Sequence, residues 1–365
     1  MEASLKNKSL QSAAYWVIVL TGTLICLIYF KSLLQPFVLA VVVWYLIGTA
    51  RKYIGKITFK KKALPNWAQR IVAVLVTFSI LFGIYEIISV NINLINQNAG
   101  AYSANFSAFI AKLTNIPQLQ KWAPEISESI GKLNYQNIAS GVLNSISTLL
   151  GNFTLVLIYV VFLVIEENYF TRKMSAIFKR DEKRQNVAAL IDHISSAVNK
   201  YFTVKTEMSL LTAVLSYIVM VLLGVDFPVL WAFIIFILNY IPYIGSLIAS
   251  LLPGLFAIFQ FASFWPFIYI FVAVEAVQIL VGNYIEPKVM GKTLNLSPLV
   301  VVIALSFWGA IWGILGMILS VPIVSILIII CAQFPSTRPV AVMLSENGSI
   351  EDLYQSSTDE IPETS

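Results

Sequence analysis

Two polar side chains lie in the middle of an apolar run, where they could do chemistry. Glu275 is near the centre of the run 264–282, and Gln278 follows three residues later. Residues three apart share a helix face, so both side chains point toward one interior surface or cavity. An ionised group at the centre of a membrane helix costs about 2.5 to 3.5 kcal/mol and usually has a task or a partner. We therefore predict that Glu275 either exchanges a proton or cation or forms a buried hydrogen bond.

A second candidate is a break inside the long apolar block 229–261. The break reads Asn-Tyr-Ile-Pro-Tyr-Ile-Gly, and its proline removes a backbone donor. Carbonyl groups freed at membrane depth must meet water, side chains or a solute, as in the broken helices of transporters. The alternative is a simple hairpin turn. The predicted pathway residues from this break are Asn239, Tyr240, Pro242, Tyr243 and Gly245.

The loop after residue 282 supplies the last pathway candidates, Asn283 and Glu286. Pro287 and Lys288 follow directly, so the charges flank a helix end. Anchoring of that end among lipid headgroups explains the same pattern.

Known catalytic and metal-binding patterns are missing from the sequence. His193 is the only histidine, and Cys26 and Cys331 lie in separate apolar runs without metal-ligand spacing. The stretch 291–293 ends like a phosphate-binding loop, but Glu286 stands where that loop needs glycine. We predict no enzyme activity, no cofactor and no metal, and we interpret both cysteines as packing residues.

Membrane helices must position these residues. Hydrophobic residues make up 58% of the chain and charged residues 12%, about half the usual charged share. Several successive runs approach the roughly 20 apolar residues that a membrane span requires. The net charge of +5 lies in loops beside apolar runs, which argues against nucleic-acid binding. These features exclude a single soluble domain and predict an all-α polytopic membrane protein.

We predict eight apolar blocks, two of which are too long for one span and are broken by proline or glycine. Each of those two forms a helical hairpin, 229–261 and 298–333. Basic residues before the first block, without a cleavage pattern after it, predict a retained first helix. The blocks are 13–30, 33–50, 68–90, 146–165, 207–224, 229–261, 264–282 and 298–333.

Five regions follow from these blocks. Region 1–90 holds the first three transmembrane helices, and 91–145 is a polar outer helical segment. Region 146–206 holds the fourth span and an amphipathic helix at 182–205, which is either a gate or a packing helix. Region 207–334 is the C-terminal transmembrane core. Region 335–365 is a disordered acidic tail, because it has few large apolar residues to bury.

Basic residues predict the orientation. They concentrate in 51–70, 166–206 and 283–297, which the positive-inside rule places in the cytoplasm. Both termini are then cytoplasmic, and 91–145 faces outward. Small residues at Gly309, Gly313 and Gly316 predict close helix packing in the last block.

Three stretches resemble the autoinducer-2 exporter family of bacterial membrane proteins. Residues 222–253 look like its leucine-rich segment with an Asn-x-Ile-Pro-x-x-Gly element. Residues 282–322 are similar to its second signature, a Pro-x-x-Met-Gly loop and a glycine-rich hairpin ending in Val-Pro. The third stretch runs up to Tyr201 and the Lys205–Thr206 pair. The likeness is strong over 190–330 and covers only the layout of the first 165 residues.

The resemblance implies a homo-oligomeric transporter in the bacterial inner membrane, with cytoplasmic termini. The leading hypothesis is an exporter of a small polar solute such as autoinducer-2, which works by movement of the hairpins. Other family members resemble sodium or lithium/proton antiporters, for which Glu275 would be the exchange site here. A further alternative is a membrane scaffold that recruits partners through 91–145 and the acidic tail. The expected partners are a small polar solute, or a monovalent cation and a proton, together with the lipid bilayer.

Overall fold

A computed structural model describes residues 2–55, 58–59, 62–63, 65–114, 153–177, 181–290 and 295–350. These residues are helical apart from turns and one short two-stranded ribbon. The predicted outer segment beyond Thr114, the first part of the predicted block 146–165 and the tail beyond Ile350 lie outside the described residues. The prediction of a disordered tail over 335–365 was wrong for its first part, because Arg338–Leu344 forms a helix and Ala341 and Ile350 are buried in the core. The predicted all-α membrane fold is confirmed.

The N-terminal part consists of long helices. A tight antiparallel ribbon joins the second helix to the third, and Thr58 pairs with Ala63 in it. The elements are α1 (Glu2–Tyr29), α2 (Lys31–Gly55), β1 (Thr58–Phe59), β2 (Lys62–Ala63), α3 (Asn66–Thr114) and α4 (Phe153–Ile177).

The C-terminal part contains both predicted hairpins. The first is α6–α7 and the second is α10–α11. A π-helical segment, Leu280–Ile285, separates α8 from α9. The elements are α5 (Asp181–Leu222), α6 (Pro228–Leu238), α7 (Ile244–Phe261), α8 (Phe264–Ile279), α9 (Glu286–Met290), α10 (Pro298–Trp312), α11 (Ile314–Gln333) and α12 (Arg338–Leu344).

Within the described ranges, five helical stretches are long and apolar enough to cross a membrane. In each hairpin a short apolar helix, α6 or α10, precedes a full-length one. At 1.5 Å per residue, the 11 residues of α6 rise only about 17 Å, roughly half of a hydrocarbon core. The five stretches are Lys31–Arg51, Val187–Leu222, Ile244–Phe261, Phe264–Met290 and Ile314–Gln333.

Two predicted boundaries are absent from the structure. The predicted amphipathic helix 182–205 and the span 207–224 form one 42-residue helix, α5. The predicted span 68–90 continues into the polar segment as the 49-residue helix α3. Both helices continue for the same reason. No proline interrupts either one, so the backbone keeps its hydrogen bonds across the change in polarity.

The helix α5 connects the two halves of the core. Its N-terminal half packs Val198, Tyr201 and Phe202 against the α10–α11 hairpin. Its C-terminal half packs Met220 into a cluster with α6, α7 and α8. A separate cluster around Ala40 joins α2, α3 and α4. The apolar face of the predicted amphipathic helix therefore has a packing role.

Candidate functional site

The break between α6 and α7 is a tight, strained turn. The Ile244 amide donates to the carbonyl of Pro242 at 2.7 Å, and Tyr243 between them has φ 60° and ψ −62°. This is the rarer kind of γ-turn, which a non-glycine residue adopts only at a cost of about 1 to 3 kcal/mol. A Cβ on Gly245 would lie 1.9 Å from the carbonyl oxygen of Leu238, so glycine is required there.

The break residues do not all face the same surroundings. Asn239 follows the last residue of α6, and its backbone N–H donates to the Ile235 carbonyl at 3.0 Å. Tyr240 is 8% exposed, and its hydroxyl lies 2.7 Å from the hydroxyl of Thr206 on α5. Since Thr206 donates to the Phe202 carbonyl, Tyr240 is the donor of this pair. Tyr243, in contrast, is 58% exposed and does not join the buried residues.

A buried ion pair lies beside that hydrogen bond. Lys205 Nζ donates to Glu286 Oε1 at 2.6 Å, and the two side chains are 10% and 19% exposed. Consecutive residues of α5 thus hold the first residue of α9 and the turn after α6. The Tyr201 hydroxyl, one turn earlier on α5, is buried and has no hydrogen-bond partner among the described residues. We call Tyr201, Lys205, Thr206, Tyr240 and Glu286 the lower cluster.

The π-helical segment explains where Asn283 and Glu286 point. Each widened turn shifts the residues after it around the helix, and such segments are frequent at functional sites. Asn283 is exposed, whereas Glu286 is turned inward to Lys205. The predicted site residues Asn283 and Tyr243 are therefore not brought together with the buried ones.

The predicted pair on α8, Glu275 and Gln278, lies closer to the α5–α6 connection than the lower cluster does. Glu275 Oε2 accepts a hydrogen bond from the Ser250 hydroxyl of α7. Gln278 is 5% exposed, and its Nε2 has no hydrogen-bond partner among the described residues. Glu286 is eight residues beyond Gln278, so Gln278 lies about 12 Å from that level along the helix.

Sequence reasoning missed a polar stripe on α5. Lys205, Ser209, Thr212 and Ser216 recur at spacings of four, three and four residues, and none is more than 8% exposed. Thr212 donates to the Met208 carbonyl at 2.8 Å, but the hydroxyls of Ser209 and Ser216 have no partner in the described part of the chain. The signal was present as polar residues at helical spacing within an apolar span.

The predicted packing glycines act inside one hairpin. Gly313 makes the turn between α10 and α11 with φ 64°. A Cβ on Gly316 would lie 2.0 Å from the Trp308 carbonyl oxygen, and one on Gly309 would lie 2.8 Å from the Met317 side chain. The three glycines therefore allow the close approach of α10 and α11.

The opposite ends of the core helices are tied together by α3. The Tyr102 hydroxyl donates to Asp226 Oδ2 at 2.9 Å, and the Asn105 amide donates to the Gln260 carbonyl at 2.9 Å. Lys112 Nζ donates to the Ala262 carbonyl at 3.1 Å. Burial, and then the hydrogen bond to Asp226, raise the pKa of the Tyr102 phenol above its usual range. The far part of α3 thus fixes the α5–α6 connection, the end of α7 and the α7–α8 connection.

Metal chemistry has no support from the described residues, where no group of three His, Cys, Asp or Glu side chains could hold an ion. Cys26 is exposed and Cys331 is half-buried. The arrangement instead offers hydroxyl, amide and carboxylate groups inside a bundle of apolar helices.

Comparisons with known proteins cover most of this bundle. The model of the AI-2E family of transporters matches residues 16–336. A Haemophilus influenzae protein with the name "Putative transport protein" is 28% identical over 95% of this chain and 98% of its own length. A Borreliella burgdorferi protein with the same name is 32% identical over 58% of each chain. The AI-2 transport protein TqsA of Escherichia coli is 31% identical over 57% of this chain and 60% of its own length.

Proposed function

This chain belongs to the AI-2E family of transporters, and we propose that it exports a small polar solute along the buried polar surface between α5, α7 and α8. The relative named for AI-2 transport supports a signal of that kind as the solute.

One observation carries the proposal, the set of buried polar atoms without partners. Among them are Ser209 Oγ and Ser216 Oγ on α5 and Gln278 Nε2 on α8, two helices that pack against each other. The Tyr201 hydroxyl of the lower cluster is a further one. An unsatisfied buried polar group costs about 1 to 3 kcal/mol, so a protein retains such groups at some loss of stability. A polyhydroxy solute or water passing between the helices supplies the missing hydrogen bonds.

The lower cluster is suited to be the gate of this path. Thr206 lies 16 residues before the end of α5, a rise of about 24 Å, so the cluster closes the far end of the bundle. Opening requires separation of Lys205 from Glu286 and of Thr206 from Tyr240. The strained turn at Tyr243 lowers the barrier to movement of the α6–α7 hairpin, because its strain is released when the turn rearranges.

An export assay tests this path. Cells that produce the signal and lack their own exporter receive wild-type protein, Gln278→Leu or Ser216→Ala, and extracellular signal is measured at matched membrane expression. We expect both variants to lose most export while remaining folded, because each removes a polar group facing the path. The control is Ser306→Ala, whose exposed hydroxyl already bonds to the Val302 carbonyl and which keeps full export. Normal export by Gln278→Leu contradicts the path.

A second function, cation/proton antiport, is favoured by Glu275. Its hydrogen-bond partner is the Ser250 hydroxyl, which also lies 3.2 Å from the Ser246 carbonyl and 3.1 Å from the Leu247 carbonyl. Ser250 can therefore donate to the carboxylate or, when Glu275 is protonated, to its own helix. That choice allows Glu275 to take up and release a proton without leaving the Ser250 hydroxyl unsatisfied.

Proteoliposomes separate the two functions. Internal pH is followed with a dye while sodium, lithium or potassium gradients are imposed on wild type and Glu275→Gln. Cation-dependent proton flux that disappears in Glu275→Gln supports antiport. Absence of flux in a folded wild-type preparation eliminates antiport and leaves solute export.

The proposed setting is the bacterial inner membrane, with both termini in the cytoplasm and several copies of the chain together. The basic residues near the ends of α2, α4 and α5 support that orientation by the positive-inside rule. The orientation is checked by labelling the cysteine of Lys200→Cys from each side of the membrane. Labelling from the outside would contradict the proposed orientation.

A further inference from the structure

The polar surface of the proposed path gives way to an apolar one at the end of the core where α5 ends and α8 begins. On α5, Ser216 is followed one turn later by Met220. On α8, which runs the other way, Gln278 is preceded one turn earlier by Val274. Both Met220 and Val274 are 0% exposed. The change from polar to apolar therefore occurs on both helices toward the α5–α6 connection.

The third helix of the path, α7, shows the same change. Ser250 is fully buried, and Ala257, two turns later on the same face, is fully buried as well. Between them, a Cβ on Gly254 would lie 3.2 Å from the Phe271 side chain of α8. The two helices therefore leave little space beside these residues.

The apolar residues form a dry barrier between the buried polar atoms and this end of the core. They offer no hydrogen bond, so a hydroxylated solute or a hydrated ion loses its partners when it passes among them. Apolar constrictions close membrane channels in this way, because water does not remain in them. We call the barrier the apolar seal, and its members, all 0% exposed and all in one packed cluster, are Met220 of α5, Ala257 of α7, and Ile270 and Val274 of α8.

Aromatic side chains and hydrogen bonds cover the apolar seal. Trp231 and Phe256 pack against its cluster with ring centroids 5.2 Å apart, and Trp231 Nε1 donates to the Asp226 carbonyl at 3.1 Å. Gln260 joins the end of α7 to the α5–α6 connection, because its side chain accepts from the Asp226 backbone N–H at 2.9 Å and donates to the Gly224 carbonyl at 2.8 Å. The seal is therefore held closed at the same connection that α3 contacts.

We propose that the apolar seal is the second gate of the path and that Met220 is its movable part. Met220 is the one long, unbranched side chain of the seal, so it can repack when the helices separate, whereas the branched Val274 and Ile270 are stiff. The seal and the lower cluster close opposite ends of the same polar surface, one with apolar groups and the other with an ion pair and hydroxyls. This inference rests on the proposed path, and it adds that the solute leaves the path when Met220 moves out of the seal.

Chemical accessibility of the path tests the seal without a transport measurement. Cys26 and Cys331 are replaced by alanine, and Ser216→Cys is introduced into this background. A charged, membrane-impermeant thiol reagent is added to either side of membrane vesicles, and labelling of Lys200→Cys identifies the side of the lower cluster. From the other side, we expect slow labelling of Ser216→Cys while the seal is intact. Met220→Ala should make this labelling at least about tenfold faster, because the barrier to a hydrated reagent falls.

A second variant keeps the proposal testable if Met220→Ala does not fold. Val274→Thr adds a hydroxyl to the seal with little change in shape, so it should also speed labelling from that side. The controls are Met220→Leu, which keeps a large apolar side chain, and Ile328→Ala, which truncates a side chain that is 1% exposed in a different cluster. Both controls should keep the slow rate. Fast labelling with the seal intact, or equal rates in Met220→Ala, Val274→Thr and Ile328→Ala, overturns the gate.

Labelling from the side of the lower cluster separates failure of the seal from failure of the path. If Ser216→Cys is labelled from that side but not from the other side in any seal variant, the path stands and the seal is not its gate. If no folded variant is labelled from either side, the path itself is wrong, and the gate is wrong with it.

Discussion

Breaking the ion pair between Lys205 and Glu286 should be among the most destabilising single changes in the core. The side chains are 10% and 19% exposed and meet at 2.6 Å, so each charge has been largely removed from water. Lys205→Met leaves the carboxylate without its partner, and the expected cost is about 3 to 5 kcal/mol. Replacing both charges with apolar groups removes the desolvation penalty as well, so Lys205→Met/Glu286→Leu should lie close to wild type or above it.

A double-mutant cycle measures this coupling. Equilibrium unfolding in mixed micelles with increasing denaturing detergent gives the free energy of unfolding of wild type, both single variants and the double variant. We expect a coupling energy of at least about 3 kcal/mol. The matched control is the pair of Lys173 and Glu166, with side chains 61% and 50% exposed, which should couple by at most about 1 kcal/mol. Additive effects at the buried pair would refute the argument that the two charges depend on each other.

Three further predictions concern local geometry and pH. Gly245→Ala should lower the free energy of unfolding by at least about 3 kcal/mol, since its Cβ would overlap a backbone oxygen. The control Gly100→Ala, with open space around it, should be neutral or stabilising by up to about 1 kcal/mol. Equal effects of the two variants in detergent unfolding contradict this. Tyr243→Gly should stabilise the protein by about 1 kcal/mol, because glycine relieves the positive φ, and a loss of stability would show that the ring packs in a way that outweighs the strain. The Tyr102 phenol has a pKa raised from 10.0, so its contribution to stability is fully present below pH 10 and is lost as the pH rises through the higher folded value. When the pH is raised from 9 to above 10, the melting temperature of Tyr102→Phe should therefore fall less than that of wild type. Asp226 is kept in both proteins.

The hairpins could be predicted from sequence because local chemistry determines them. Pro242 and Gly245 interrupt an apolar block that is too long for one span, and Gly313 does the same in the last block. Each interruption acts on the backbone beside it, so a window of a few residues contains the necessary information.

The lower cluster could not be predicted in the same way, because its contacts join distant parts of the chain. Lys205 and Glu286 are 81 residues apart, and Thr206 and Tyr240 are 34 apart. Nothing local distinguishes Glu286, which pairs with Lys205 inside the bundle, from a headgroup anchor next to Lys288. The π-helical segment decides between these roles, and periodicity based on 3.6 residues per turn does not reveal it.

The polarity of a segment also misled the prediction of helix ends. The change from apolar to polar residues near Asn91 suggested that the third span stops there. Polar residues do not terminate a helix unless they offer the backbone alternative partners, and Asn91 and Asn98 instead donate to carbonyls one turn earlier in α3.

The length of α3 makes it a lever. Its 49 residues extend about 74 Å, more than twice the thickness of a hydrocarbon core, so a tilt of one degree moves its far tip by about 1.3 Å. The tip is hydrogen-bonded to the α5–α6 connection, the end of α7 and the α7–α8 connection, and the base follows the ribbon after α2. A tilt of a degree or two at the base would therefore be enough to stretch the hydrogen bonds at the tip beyond their normal length, and a ligand or antibody that binds the tip should influence the connections of the core helices.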